Sequence, residues 1–451
     1  MRIFALLLAL LLLALPAWPA AARDKSPTPF DVMAEFERLS ARPLWPGFDP
    51  RLVPVEIYDG RATYLFRHPS PPPEFKETPG RPGVRVFPGR HESVRANSNV
   101  ELGGVGVATA VITPDKKLPP LKSAALLVHE AFHVFQRARH PKWTGNEVEL
   151  FLYPFEDVEQ LRLRRLETEA LRRAVAARAD GGAACWARAA VNARRTRFGL
   201  LSVGAAGYER GTELNEGLAR YVEARAAGDK GDELPAGDYA PEEVRVRSYA
   251  TGRTLGLLLD RLDPGWKQRL ESGDARSLDE LLEASLASAK RAKVCALPRG
   301  FQEAARERAK QDVETLRAKK AGWRREFFAR PGWKVIVIAG EGEPLWPQNF
   351  DPLNVRSLGG GEVLHTRWLK VGNSAGTIEV LERPSLTEGR GSHPLFNGVS
   401  IITAAGLASE PEVREDGGTL VLKSEGFKAE LKGARWERSG QTITVRLARA
   451  R

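Results

Sequence analysis

His129, Glu130 and His133 are spaced to do metal chemistry. They form an H-E-x-x-H pattern inside SAALLVHEAFHVFQ, a segment that otherwise reads as an apolar helix. On an α-helix residues four apart share a face, so the two imidazoles reach toward one ion while Glu130 points roughly a quarter turn away. Two nitrogens, a third protein ligand and one position kept for water describe a zinc hydrolase centre. There the ion lowers the water's pKa toward about 7 and the glutamate removes its proton. The competing reading is a core helix with two satisfied histidines, because a five-residue pattern also arises by chance. The third ligand has to come from elsewhere in the chain.

In YERGTELNEGLARYVE, the residues Glu209, Glu213, Glu216, Arg220 and Glu223 recur at spacings of four, three, four and three. On a continuous α-helix these positions line one face. A carboxylate stripe beside Leu218 and Val222 suits a ligand-bearing helix. The alternative is an exposed ladder held by pairs such as Glu216 with Arg220.

HEAFH followed by NEGLARYVE resembles the gluzincin metallopeptidases, in which one helix supplies two histidine ligands and a second helix beginning N-E-G-x-A supplies a glutamate. A third segment, SYATGRTL followed by LLLDRL, is similar to the Y-x-x-G-x-x-L stretch of their aminopeptidase-like branch. The resemblance covers about residues 123–282. It implies one Zn2+ ion on His129, His133 and Glu216, with Glu130 as catalytic base and Tyr249 as the hydroxyl that steadies the oxyanion. It also implies a peptide or protein substrate. The chain departs from the family in two respects. A long insertion carrying Cys185 separates His133 from Glu216, which makes Glu167 and Glu169 rival third ligands. No G-x-M-E-N amine-binding motif precedes the histidine helix. Gly103–Ala110 occupies that place and reads as an edge strand on which an extended peptide could lie. The alternative function is a non-catalytic zincin scaffold that binds peptide or cell-envelope ligands.

The elements that must position these residues fall into distinct regions. Residues 1–22 read as a signal peptide: Arg2, an apolar run from Ile3 to Leu15, then small residues ending at Ala22. The mature chain is therefore expected to be exported, periplasmic or secreted, with no transmembrane segment. In an oxidising compartment two lone cysteines, Cys185 and Cys295, pair more often than not, although spacing alone does not bring them together. Residues 23–120 are rich in Pro and Gly with short β-like runs. Residues 121–329 carry long helical periodicities, and residues 330–451 return to β-like alternation. The fold class is α+β: a zincin-like catalytic unit, made of the β-containing N-terminal part and the helical bundle, followed by a small all-β domain, a sandwich or barrel.

The net charge of +11 arises from basic residues interleaved with 57 acids, without a dedicated arm or nucleic-acid motif. This argues against a nucleic-acid partner and allows weak association with an anionic cell surface. RLRRLETEALRRAVAARADG reads as a helix with a solvated charged face. PLWPGFDP at 43–50 and PLWPQNFDP at 344–352 form a weak repeat that suggests aromatic-stapled turns. His140 is placed to hydrogen-bond near the histidine helix, and His68, His91, His365 and His393 read as surface residues.

Overall fold

The computed structural model describes residues 27–113, 118–229, 231, 233–287, 293–351, 354–391 and 393–448; the expected signal peptide lies outside them. Among the described residues no helix is long and apolar enough to cross a membrane. The chain divides into two compact units, Met1–Arg137 with Val222–Asp229, and Ala138–Tyr221 with Lys230–Arg451.

The first unit opens with α1 (Pro29–Ser40). Its N-terminus is set by a capping box between Thr28 and Asp31, and Val32, Phe36 and Leu39 form its buried stripe. Six strands follow: β1 (Val55–Tyr58), β2 (Ala62–Phe66), β3 (Lys76–Glu77), β4 (Val84–Pro88), β5 (Ser98–Leu102) and β6 (Val105–Val111). They form one sheet in the order β3-β4-β2-β1-β6-β5. The run Gly103–Ala110, expected at an edge, is interior: β6 pairs with β1 on one side and with β5 on the other. The edge belongs to β5, which the sequence hides because SNVEL alternates too weakly to announce a strand. Helix α2 (Pro120–Arg139) carries the H-E-x-x-H pattern. Trp45 and Phe48 of the PLWPGFDP loop pack on Phe132, with ring centroids 5.4 and 5.1 Å away, so this copy of the repeat is an aromatic staple on the histidine helix.

The second unit contains α3 (Val158–Ala176), α4 (Asp180–Phe198), α5 (Val203–Thr212), a π-helical turn at Glu213–Gly217 and the start of α6 (Leu218–Ala227). It continues with α7 (Val244–Leu262), α8 (Trp266–Glu271), α9 (Leu278–Ala287) and α10 (Arg299–Phe328). Cys185 and Cys295 form a disulfide that closes a sequence separation of 110.

Beyond α10 lie β7 (Trp333–Ile338), β8 (Trp346–Phe350), β9 (Val355–Gly359), β10 (Glu362–His365), β11 (Trp368–Asn373), β12 (Gly376–Leu381) and β13 (Ser385–Glu388). The short α11 (Pro394–Asn397) precedes β14 (Ile401–Leu407), β15 (Glu412–Asp416), β16 (Thr419–Ser424), β17 (Phe427–Lys432), β18 (Arg435–Ser439) and β19 (Thr442–Arg446). A seven-stranded sheet, β18-β19-β7-β14-β13-β10-β9, faces a six-stranded one, β15-β16-β17-β12-β11-β8. Val335, Val337 and Ile443 from the first share one core with Leu369, Ile378, Leu422 and Leu431 from the second, so the C-terminal region is a sandwich. The second copy of the repeat is not a stapled turn but runs into strand β8.

Helix α3 departs from the solvated face expected of it. Arg164, Arg165 and Glu167 are buried. Arg194 donates to Glu167 at 2.9 Å and to both oxygens of Glu213 at 2.8 and 2.6 Å. Arg197 donates to Glu167 at 2.8 Å and to both oxygens of Glu209 at 2.6 and 2.8 Å. Arg247 reaches Glu167 and Asp238, and Arg164 donates to Asp238 at 2.7 Å. Charge periodicity cannot distinguish this arrangement from a solvated ladder, because the partners come from other helices.

Burial pushes the Asp238 carboxyl up, but Arg164 and Arg247 outweigh it and hold the group at about 2. The same balance, with three arginines, keeps Glu167 below the usual carboxylate range. Because these folded-state values lie below the unfolded ones, their stabilisation is present at neutral pH and is lost as pH falls through them. The melting temperature should therefore hold from pH 8 to about 5 and fall steeply between about 4 and 2, and Asp238→Asn should weaken this acid dependence. Calorimetric melts across that range check both outcomes.

Candidate metal centre

Two imidazoles converge because α2 carries them one turn apart. His129 Nε2 and His133 Nε2 lie 3.1 Å from each other. Each ring is also held by its other nitrogen. His129 Nδ1 lies 3.1 Å from Glu223 Oε2, and His133 Nδ1 lies 2.8 Å from Gln136 Oε1. A carboxylate and an amide oxygen accept hydrogen bonds, so both protons belong on the Nδ1 atoms. Both Nε2 atoms then face the same small volume. Metal-ligating histidines are oriented in this manner by an acceptor behind the ring.

Glu130, next along the helix, is buried. His129, His133 and Glu216 each offer a ligand atom, and these atoms all lie within 4.8 Å of one another. Among the described residues no other group of three or more His, Cys, Asp or Glu side chains does so. Two imidazole nitrogens and a carboxylate oxygen are a donor set that suits a borderline dication such as zinc. The rival ligands are committed elsewhere: Glu167 to the buried arginines and Glu169 to Arg172 and Arg173.

Glu216 and Tyr249 are brought together by a contact between glycines. A Cβ on Gly217 would lie 2.6 Å from Gly252 Cα, and one on Gly252 would lie 2.7 Å from Gly217 Cα and 2.8 Å from the Glu213 carbonyl oxygen. The π turn therefore meets α7 backbone to backbone, which only glycine permits. This brings Tyr249, three residues before Gly252, into hydrogen-bond contact with Glu216. Burial and the Glu216 carboxylate push the Tyr249 phenol up to about 12. Arg245, one turn earlier, donates to Glu216 Oε1 at 3.1 Å and also pairs with Glu147.

The expected single-face stripe does not form. The π turn adds a residue to the helical repeat and breaks the four-three spacing. Glu209 and Glu213 face the buried arginines, Arg220 pairs with Glu233 rather than Glu216, and Glu223 holds His129. Spacing alone missed Gln136 and Arg245 as site neighbours; Glu223 lay in the stripe, seven residues after Glu216, without its partner being visible.

The other histidines also correct the surface reading. His68, His91 and His365 are buried and His393 is half-buried. His68 Nε2 is bonded to the Leu102 carbonyl oxygen at 3.0 Å, and His91 Nδ1 to Ser93 Oγ at 2.6 Å. Their polar atoms find partners inside the sheet's loops, which removes the need for water. His140 does bond nearby, to Glu271 at 2.9 Å.

Comparison with protein-family models, with curated proteins and with solved structures finds no match to this chain.

Replacing Glu223 by Gln leaves His129 without a charged acceptor and should weaken metal binding about 10- to 100-fold, as read by competition with a chromophoric chelator. Gly252→Ala forces the π turn and α7 apart. It should cost on the order of 1–3 kcal/mol of stability in denaturant titrations and lower metal affinity as well.

Proposed function

We propose that this protein is an exported zinc metallopeptidase of gluzincin type that hydrolyses peptide bonds. The observation that carries the reading is the grouping of ligand atoms from His129, His133 and Glu216 within 4.8 Å of one another, with each imidazole fixed from behind by Glu223 or Gln136. An acceptor behind each ring is the arrangement that orients metal-ligating histidines.

His129, His133 and Glu216 would hold the ion. When bound, zinc supplies Lewis-acid polarisation of the scissile carbonyl and acidifies the attacking water. Glu130 takes the water's proton at its carboxylate and passes it to the leaving amine. Tyr249, with its phenol kept protonated far above neutral pH, donates a hydrogen bond to the developing oxyanion. Arg245 neutralises Glu216 Oε1 and holds that carboxylate in place. Strand β5, at the sheet edge, offers unpaired backbone groups to an extended peptide, and its Asn99 is held by Arg137 of the histidine helix.

Elemental analysis of purified protein should find about one zinc per chain, lost in His133→Ala. Glu130→Gln should keep the zinc while peptide-library turnover falls by roughly 10²- to 10⁴-fold. Normal cleavage by Glu130→Gln would overturn the assignment of the base. Zinc retention with no cleavage by the wild-type chain would favour the binding-only zincin scaffold.

A further inference from the structure

Among the described residues, a polar cluster interrupts the largely apolar interior of the C-terminal sandwich. His365 at the end of β10 stands directly opposite Ser385 of β13 and diagonal to Thr387. His365, Ser385 and Thr387 have 0% exposure. Thr387 Oγ1 donates to the Val363 carbonyl oxygen at 3.3 Å and lies 3.1 Å from His365 Nε2. The hydroxyl proton is thus committed, so His365 carries its proton on Nε2 and leaves a lone pair on Nδ1.

Among the described residues that Nδ1 has no hydrogen-bond partner, and neither do Ser385 Oγ and both ring nitrogens of His393. Four buried polar atoms without partners in one region are an anomaly in a folded protein, where such atoms are paired with protein, water or an ion. Aromatic rings surround them. Phe350 lies 6.3 Å from His365; Phe396 and Phe151 lie 5.0 and 6.3 Å from His393; Phe151 lies 6.1 Å from Phe350. His393 is near enough for its charge to act on His365.

We propose that His365 and His393 form a second metal site, distinct from the His129–His133 centre, which takes a monovalent copper ion on imidazole nitrogens. Three properties of this cluster favour that ion. The Nε2–H of His365 is held by an oxygen acceptor, which orients the ring and leaves Nδ1 as the donor atom. Burial lowers the pKa of both rings, His365 to about 3, so protons do not compete for the nitrogens at neutral pH. None of the unpartnered atoms belongs to a carboxylate, and a buried dication without an anionic ligand is costly, whereas a d10 monocation is satisfied by two neutral nitrogens.

The test is anaerobic Cu(I) titration against bicinchoninate, carried out on the full chain bearing His129→Gln and His133→Gln so that the other centre does not contribute. One equivalent of Cu(I) should be retained, and adding either His365→Gln or His393→Gln should weaken binding at least tenfold. His393 is half-buried, so its variant remains informative if the His365 substitution unfolds the sandwich. No copper retained by the parent, copper retained unchanged by folded His393→Gln, or a high-resolution crystal structure of copper-treated protein with only water in the pocket would each overturn the proposal. None of these outcomes depends on whether the chain is a peptidase.

Discussion

The buried lattice of Arg164, Arg194, Arg197 and Arg247 with Glu167, Glu209, Glu213 and Asp238 is the constraint on which the helical region depends. It draws together α3, α4, α5, the π turn and α7. Such ion pairs add little net stability, because desolvation offsets most of the attraction, but breaking one leaves an uncompensated charge at a cost of about 3–5 kcal/mol. The lattice therefore acts through geometry. Glu213 is held bidentately by Arg194 and accepts a third hydrogen bond from Thr251 at 2.6 Å. Relaxing the π turn to regular α-helix would pull that carboxylate away from its partners.

What the lattice fixes on one side of the π turn, the glycine contact exploits on the other. Gly217 and Gly252 let two helix backbones touch, and this closeness gives Glu216 both Tyr249 and Arg245 as neighbours. Two residues of the turn thus have different partners. Glu213 is held by Arg194 and Thr251, and Glu216 by Arg245 and Tyr249. Further along α6, Glu223 orients His129.

The sandwich follows a different logic. Its two sheets need only alternating apolar faces, and Val, Leu and Ile supply nearly all of its interior. The His365, Ser385 and Thr387 cluster stands against this background because apolar residues of similar size would fill the same space without unpaired polar atoms. Phe151, from the segment between α2 and α3, packs beside this cluster, and Glu147 of the same short 3-10 helix pairs with Arg245. One short segment thus touches both the aromatic rings beside His393 and a neighbour of Glu216.

The sequence by itself determined whatever depends on local period. Helix α2 and the shared face of His129 and His133 follow from the four-residue repeat, the long helices from apolar spacing, and the sandwich strands from alternation. It also singled out Glu216 and Tyr249 through short motifs, and the same motifs contained the two glycines. The tertiary structure alone decided which charges are buried, that Glu167 is spent on arginines, that Glu223 and Gln136 stand behind the histidines, and that β5 rather than β6 is the edge. It also decided the π turn, which broke the expected carboxylate stripe. The reason is physical: periodicity reports how a segment is exposed on average, whereas a buried ion pair, a backbone contact or a strand's neighbour depends on residues tens of positions away.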